Sequence, residues 1–153
     1  MGPTDQPCEG GFIMEKVKEN IMLFIWGITL IAVFGSIFFS EILGFTPCEY
    51  CWYQRVLMYP LVIIYGTAIL KNNISIALPG LILSGIGFCV STYHYLVQKL
   101  PAFQEVGGSC GDLPCHLQYV NYFGFITIPF LAGIAFLIIF VTHLIVLRLE
   151  RRK

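Results

Sequence analysis

The stretch Thr46-Pro47-Cys48-Glu49-Tyr50-Cys51-Trp52-Tyr53-Gln54-Arg55 (T-P-C-E-Y-C-W-Y-Q-R) separates two long apolar runs, residues 21–43 and residues 56–70. It decides the fold because it fixes where one membrane crossing ends and the next begins. About 20 residues of helix, rising roughly 1.5 Å each, match the hydrocarbon core of a bilayer. Residues 56–70 are only fifteen, so the second crossing needs Trp52 and Tyr53 as interfacial anchors and is expected over 53–70. Arg55 then lies about one turn inside the membrane boundary, a costly position for a charge.

Outward from this stretch the pattern continues. Apolar runs predict crossings at 21–43, 53–70, 74–97 and 122–147, and the chain is 57% hydrophobic with 12% charged residues. That balance excludes an ordinary soluble domain. The expected fold is all-α: an integral membrane four-helix bundle in a single transmembrane domain over 14–153. Net charge is zero and no basic run interleaved with aromatics is present, so nucleic acid is not an expected partner.

Lys and Arg near the ends of crossings are held on the cytoplasmic side. Lys16, Lys18, Lys71, Arg148, Arg151, Arg152 and Lys153 fall on one side, and only Arg55 and Lys99 on the other. Both termini are therefore expected in the cytoplasm, with the two longer connections outside. The first run is too long for a signal-peptide core and is read as a retained helix. Residues 1–13 differ in composition from the rest of the chain, and Met14 opens a more ordinary start; this tail reads as an added or upstream segment. It is not a myristoylation signal, which needs Ser or Thr where the chain has Gln6.

Of six cysteines, Cys48, Cys51, Cys110 and Cys115 fall in the outer connections, where disulfides form and persist. Four cysteines allow three connectivities. Short loops favour Cys48–Cys51 and Cys110–Cys115. A structural staple gains most by closing a long loop, and C-x-x-C closes almost nothing. The spacing suits a dithiol that opens and closes, at a helix start whose partial positive charge stabilises a thiolate. Pro47 fits as a first-turn residue of that helix. A Cys₄ zinc site is disfavoured because the pairs are separated by 58 residues, two crossings and an oxidising face. No metal is expected.

Arg55 follows Cys51 by four residues, so a helix puts both on one face. The cation either snorkels to the headgroups or stabilises a Cys51 thiolate and donates to a carbonyl oxygen held at membrane depth. His94, near the outer end of the third crossing, is either an interfacial residue of an aromatic belt with Tyr93 and Tyr95 or a hydrogen-bond donor to a bound carbonyl. His143 is expected to face neighbouring helices, and Cys89 to pack as a small buried apolar residue. Gly27, Gly35, Gly85 and Gly87 fit close helix approach, and Pro60 and Pro129 are each expected to remove a helical hydrogen bond. The second outer connection, 98–119, carries glycines and prolines around Cys110 and Cys115 that suit presentation to a partner.

Two outer dithiols make an electron relay by thiol–disulfide exchange, and the relay needs an acceptor. No haem-attachment or nucleotide-binding motif is visible in the sequence, and a dithiol at bilayer depth points to a lipid-soluble quinone.

C-E-Y-C-W-Y-Q-R-V-L-M-Y-P-L, with H-Y-L-V-Q-K before the second cysteine pair and Q-Y-V-N-Y-F-G-F-I-T-I-P-F after it, closely resembles the disulfide bond formation protein B family, most of all its Gram-positive BdbC-type branch. The likeness runs from about residue 17 to 147. It implies a four-helix thiol oxidase of the bacterial cell membrane. Such an enzyme reoxidises an extracytoplasmic thioredoxin-fold partner of the DsbA or BdbD kind and passes electrons to quinone, menaquinone being favoured over ubiquinone. By that resemblance Cys110 forms the mixed disulfide with the partner and Cys115 resolves it. Cys48 receives electrons from that pair, Cys51 is the thiolate that contacts the quinone ring, and Arg55, His94 and Gln54 are quinone-side residues.

Two rivals stand beside this reading. A vitamin K epoxide reductase type enzyme is expected to carry its quinone-side C-x-x-C at the start of a late helix, whereas here it comes early. A non-catalytic membrane protein with outer loops pinned by disulfides is expected to have inert bonds.

Overall fold

The computed structural model describes residues 9–44, 47–100 and 127–151. Helix α1 spans Glu9–Ile37 and ends in a π-helical turn, Phe38–Ile42; α2 spans Glu49–Leu70; a 3₁₀ turn, Ile74–Ala77, leads into α3, Leu78–Lys99; α4 spans Ile128–Arg151. All four helices are long and apolar enough to cross a membrane. The protein is an all-α, multi-pass membrane protein, as its hydropathy requires.

The helix bounds differ from the sequence expectation where local chemistry extends them. Helix α1 already includes Glu9, inside the tail and well before the apolar run, in spite of Gly10 and Gly11, which favour a helix poorly. Helix α2 starts a turn earlier than expected, at Glu49, with extended Cys48 (ψ 170°) as its N-cap. Pro47 therefore lies before the cap and is not a first-turn residue. Pro129 is the second residue of α4, where a missing N–H costs no intrahelical bond. Only the expectation for Pro60, inside α2, holds.

In lipid the hydrophobic effect gives little reason for apolar helices to associate, so packing and interhelical hydrogen bonds must hold the bundle. Each of α2 and α3 buries one narrow stripe. On α2 it is Gln54, Met58, Leu61, Tyr65 and Ala68; on α3 it is Gly80, Ser84, Gly87, Ser91, His94 and Gln98, with Val97 buried beside the last. The spacing alternates four and three, the repeat that keeps a seam turned toward a neighbouring helix. Met22 and Ile25 of α1 and Phe136, Ile139 and Val146 of α4 complete the core. The opposite faces carry exposed Phe34, Val56, Ile63, Leu70 and Ile82, the apolar coat that lipid requires.

Polar contacts tie the helices together. Trp26 Nε1 donates to the Val62 carbonyl (3.1 Å), joining α1 to α2. Tyr65 Oη and His143 Nδ1 lie 2.7 Å apart, both side chains fully buried, joining α2 to α4. Asn72 Nδ2 donates to Glu15 Oε1 (3.1 Å), fastening the turn after α2 to α1. His143 thus faces its neighbours as expected. Gly87 lies so close to Phe136 that an added Cβ would sit 2.4 Å from the ring, and at Gly85 it would sit 3.3 Å from Phe140. Gly27 and Gly35 do not serve close approach: among the described residues nothing lies within 4 Å of a Cβ there. Cys89 is exposed on the apolar surface of α3 rather than buried, which corrects the expectation for it.

Candidate functional site

Helix α2 assembles the site at its first turn. Cys48 is the N-cap and Cys51 the third helical residue, the two positions that a capping box links through side-chain bonds to backbone N–H groups, a bond the Cys48 side chain does not make here. Here both are thiols, with Sγ atoms 3.1 Å apart and Cys48 donating to Cys51. Both are half-buried. The Trp52 amide bonds back to the Cys48 carbonyl (3.1 Å), which anchors the cap.

Helix α3 supplies the third member. His94 is fully buried, with Nε2 3.5 Å from Cys48 Sγ and Nδ1 3.1 Å from Gln54 Nε2. The Tyr50 ring packs at a tilt on the imidazole, centroids 5.5 Å apart, and is met edge-on by Tyr93 at 5.5 Å. This burial excludes the interfacial-belt reading of His94. The imidazole touches the cap cysteine, a contact that spacing alone could not supply because 46 residues separate the two.

The Cys48 thiol is pushed up from 9.0 to about 12, first by its hydrogen bond to Cys51, then by burial, with His94 pulling the other way. Cys48 accordingly holds its proton at neutral pH. A helix start favours anionic sulfur, and of the two sulfurs Cys51 is the acceptor.

Arg55 is drawn to α1. Its Nη2 donates to the Ser36 carbonyl (2.9 Å) and to Ser40 Oγ. The guanidinium lies over the Trp52 ring, 5.6 Å from its centroid. The π-helical turn makes this possible, since the change of hydrogen-bond register at a helix end leaves carbonyls for other donors. A guanidinium carries five N–H donors, so those on Nη2 do not exhaust it. Around Cys51 and Arg55 the surface is apolar and open to lipid: Trp52, Tyr53, Val56, Phe38, Ile42 and Leu43 are all exposed.

Cys48 Sγ, Cys51 Sγ and His94 Nε2 lie within 4.8 Å of one another, a spacing a thiophilic cation could bridge. Cys110, Cys115, His116 and Cys8 lie outside the described residues. Gln54, only weakly marked in the sequence, is buried on the same stripe as Met58 and Leu61. That four-three spacing is the signal that points to it. Ser36 and Ser40, which hold Arg55, carry no comparable mark.

Comparison with known proteins bears on this arrangement. A family model described as "Disulfide bond formation protein DsbB" matches residues 18–147. A "Probable disulfide formation protein" of Oceanobacillus iheyensis is 62% identical over 141 residues, covering 92% of this chain and 97% of the relative. "Disulfide bond formation protein C" of Bacillus subtilis is 50% identical over 126 residues (80% and 91%). A "Probable disulfide formation protein" of Coxiella burnetii is 38% identical over 128 residues (82% and 86%). No solved structure matches the chain. Four crossing helices, a C-x-x-C dithiol capping the second of them and a match over nearly the whole chain lead to one conclusion: this protein belongs to the DsbB family of membrane disulfide bond formation proteins.

Proposed function

We propose that this protein is a quinone-dependent thiol oxidase that reoxidises an extracytoplasmic thioredoxin-fold partner of the DsbA or BdbD kind. The observation that carries the reading is the Cys48–Cys51 sulfur contact of 3.1 Å at the mouth of α2, beside a lipid-open apolar surface and an intramembrane cation. Both termini lie in the cytoplasm and the cysteine-bearing connections outside, by the distribution of Lys and Arg. The crossings form one transmembrane domain.

The donor set fits a quinone. A planar, apolar ring with a long isoprenoid tail suits the exposed Trp52, Tyr53 and Val56 flank, and Arg55 can donate to a carbonyl oxygen. When bound, a quinone supplies a two-electron, two-proton acceptor that the side chains lack; menaquinone is the favoured form. Cys51 offers the anionic sulfur at membrane depth. Cys48 keeps its proton at neutral pH while Cys51 faces the acceptor, and the pair closes to a disulfide only when an oxidant takes its two electrons. Arg55, braced by Ser36 and Ser40, orients the acceptor's oxygen. A partner thiolate opens the Cys110–Cys115 disulfide to form a mixed disulfide at Cys110 and free Cys115, the partner's second thiol closes its own disulfide and releases Cys110, and the two electrons now on Cys110 and Cys115 pass to the Cys48–Cys51 disulfide by exchange.

The test mixes purified protein with a reduced thioredoxin-fold partner and a quinone and tracks thiol oxidation. Cys51→Ser and Cys110→Ser are expected to abolish turnover; wild-type rates in both would end the reading. Arg55→Ala is expected to raise the apparent quinone KM about tenfold or more, the size of a hydrogen bond to a charged donor, while partner exchange by Cys110 continues. An unchanged KM counts against Arg55. A chelator is expected to leave the rate unchanged, since sulfur rather than a bound metal carries the electrons.

A further inference from the structure

Cys48 Sγ, Cys51 Sγ and His94 Nε2 converge from two helices, and all three are ligand atoms for soft cations. Their separations approach the edges of a coordination tetrahedron. Bonds of about 2.3 Å to sulfur and about 2.0 Å to nitrogen put a thiolate and an imidazole nitrogen about 3.5 Å apart, and two thiolates about 3.8 Å apart. Cys48 Sγ and His94 Nε2 already lie 3.5 Å apart. The two sulfurs, 3.1 Å apart, need to part by less than about 1 Å. His94 is fully buried and its other ring nitrogen is met by Gln54, 3.1 Å away and itself buried. A metal-ligating histidine almost always gives that second N–H to an acceptor. The Gln54 amide carries an acceptor as well as a donor, and a half-turn about its last bond puts Oε1 on Nδ1. Nδ1–H then donates to Oε1, and the Nε2 lone pair faces the sulfurs.

We propose that Cys48, Cys51 and His94 form a site for a thiophilic divalent cation of the zinc class, present only while the two sulfurs are reduced, and that the bound cation blocks their closure to a disulfide. This rests on the reading of Cys48 and Cys51 as a cycling dithiol. A coordinated thiol loses its proton to water, and the cation takes its place; no electron moves. Two thiolates and one imidazole leave a fourth position for water, the donor set of an open zinc site. In a disulfide neither sulfur is a thiolate, so the closed pair has lost two of the three ligands. In the filled site both sulfurs are held on the ion and are not free to attack or to be attacked. The ion carries no electrons and acts as a brake, so a chelator leaves the metal-free enzyme unaffected.

The experiment uses the full chain in detergent with Cys8, Cys89, Cys110 and Cys115 each replaced by Ser, so that only the two sulfurs of the site remain. The probe is Cd²⁺, whose bonds to thiolate absorb in the ultraviolet in proportion to their number. The reduced chain is expected to take up one ion with the absorbance of two thiolates, and the chain first oxidised with diamide to take up none. His94→Asn is expected to weaken binding by about a hundredfold or more, and Gln54→Leu, which removes the partner of Nδ1, by about tenfold. His94→Cys is expected to raise the absorbance per bound ion to that of three thiolates; a fold defect can weaken binding but cannot add a sulfur to the ion. Saturating Zn²⁺ is expected to slow closure of the pair by diamide at least about tenfold, since the free thiolate is the reactive form, and excess EDTA to restore the rate. No uptake by the reduced chain, or wild-type affinity in His94→Asn with no added absorbance in His94→Cys, overturns the site; an unchanged diamide rate overturns the block. No quinone or partner enters these measurements, so their failure is distinguishable from a failure of the quinone reading.

Discussion

Cys48 is where the residue scale tells most. Its thiol is raised to about 12, by the bond to Cys51 first and by burial second. A thiol raised on folding favours the protonated form in the native state. The stability it contributes is therefore fully present below its ordinary 9.0 and is lost as pH rises through about 12. Reduced protein is expected to become less stable to denaturant across that alkaline window. In Cys51→Ser the folded-state value is raised less, so the loss, which begins near the same 9.0, should end at lower pH and be smaller in total, because the largest cause of the shift is removed. Denaturation midpoints of both proteins against pH check this, and coincident curves would exclude the Cys51 bond as the cause. Arg55 is instructive at the same scale. Its spacing of four from Cys51 is legible in the sequence, but its bonds to Ser36 and Ser40 of α1 are not.

Among the elements, α3 shows how glycine position and glycine count differ. A Cβ at Gly87 would stand 2.4 Å from Phe136, whose ring is fully buried in the same core as Ile139 and Met58. Gly87→Ala is expected to destabilise the bundle by about 1–3 kcal/mol through overpacking. Gly27→Ala meets nothing within 4 Å among the described residues and is expected to be neutral or stabilising by up to about 1 kcal/mol, from helix propensity alone. Thermal midpoints of the two variants in one detergent check the contrast; equal shifts would mean that close approach at Gly87 is not what holds α3 to α4. The sequence marks four glycines as approach points, and the structure gives that role to Gly85 and Gly87 but not to Gly27 and Gly35. Composition marks small residues, but the rotation of each helix decides which of them meets a neighbour.

For the whole molecule the hydrogen bonds between helices carry weight that burial alone cannot, since lipid is as apolar as the core. Tyr65 Oη on His143 Nδ1 is a buried bond between α2 and α4, and His143 Nε2 has no partner among the described residues. Tyr65→Phe leaves the imidazole with both nitrogens unsatisfied, and about 1–2 kcal/mol of stability should be lost. Tyr53→Phe removes an exposed bond to Glu49 (2.5 Å) within one helix turn and should cost under about 0.5 kcal/mol. Unfolding in mixed detergent compares them, and an equal loss from the two would show that the interhelical bond has no special share.

Much of the architecture is readable from the chain alone. Four apolar runs set four crossings because a bilayer has fixed thickness and leaves no backbone polar group unpaired, so length and hydropathy suffice. The C-x-x-C spacing set two thiols at one helix start for an equally local reason. What only the tertiary structure decided is the company those thiols keep: His94 against Cys48, Gln54 behind His94, and Ser36 and Ser40 on Arg55. Those contacts depend on how each helix is turned about its axis. Where lipid and core are equally apolar, hydropathy distinguishes the two faces only faintly, and packing makes the choice.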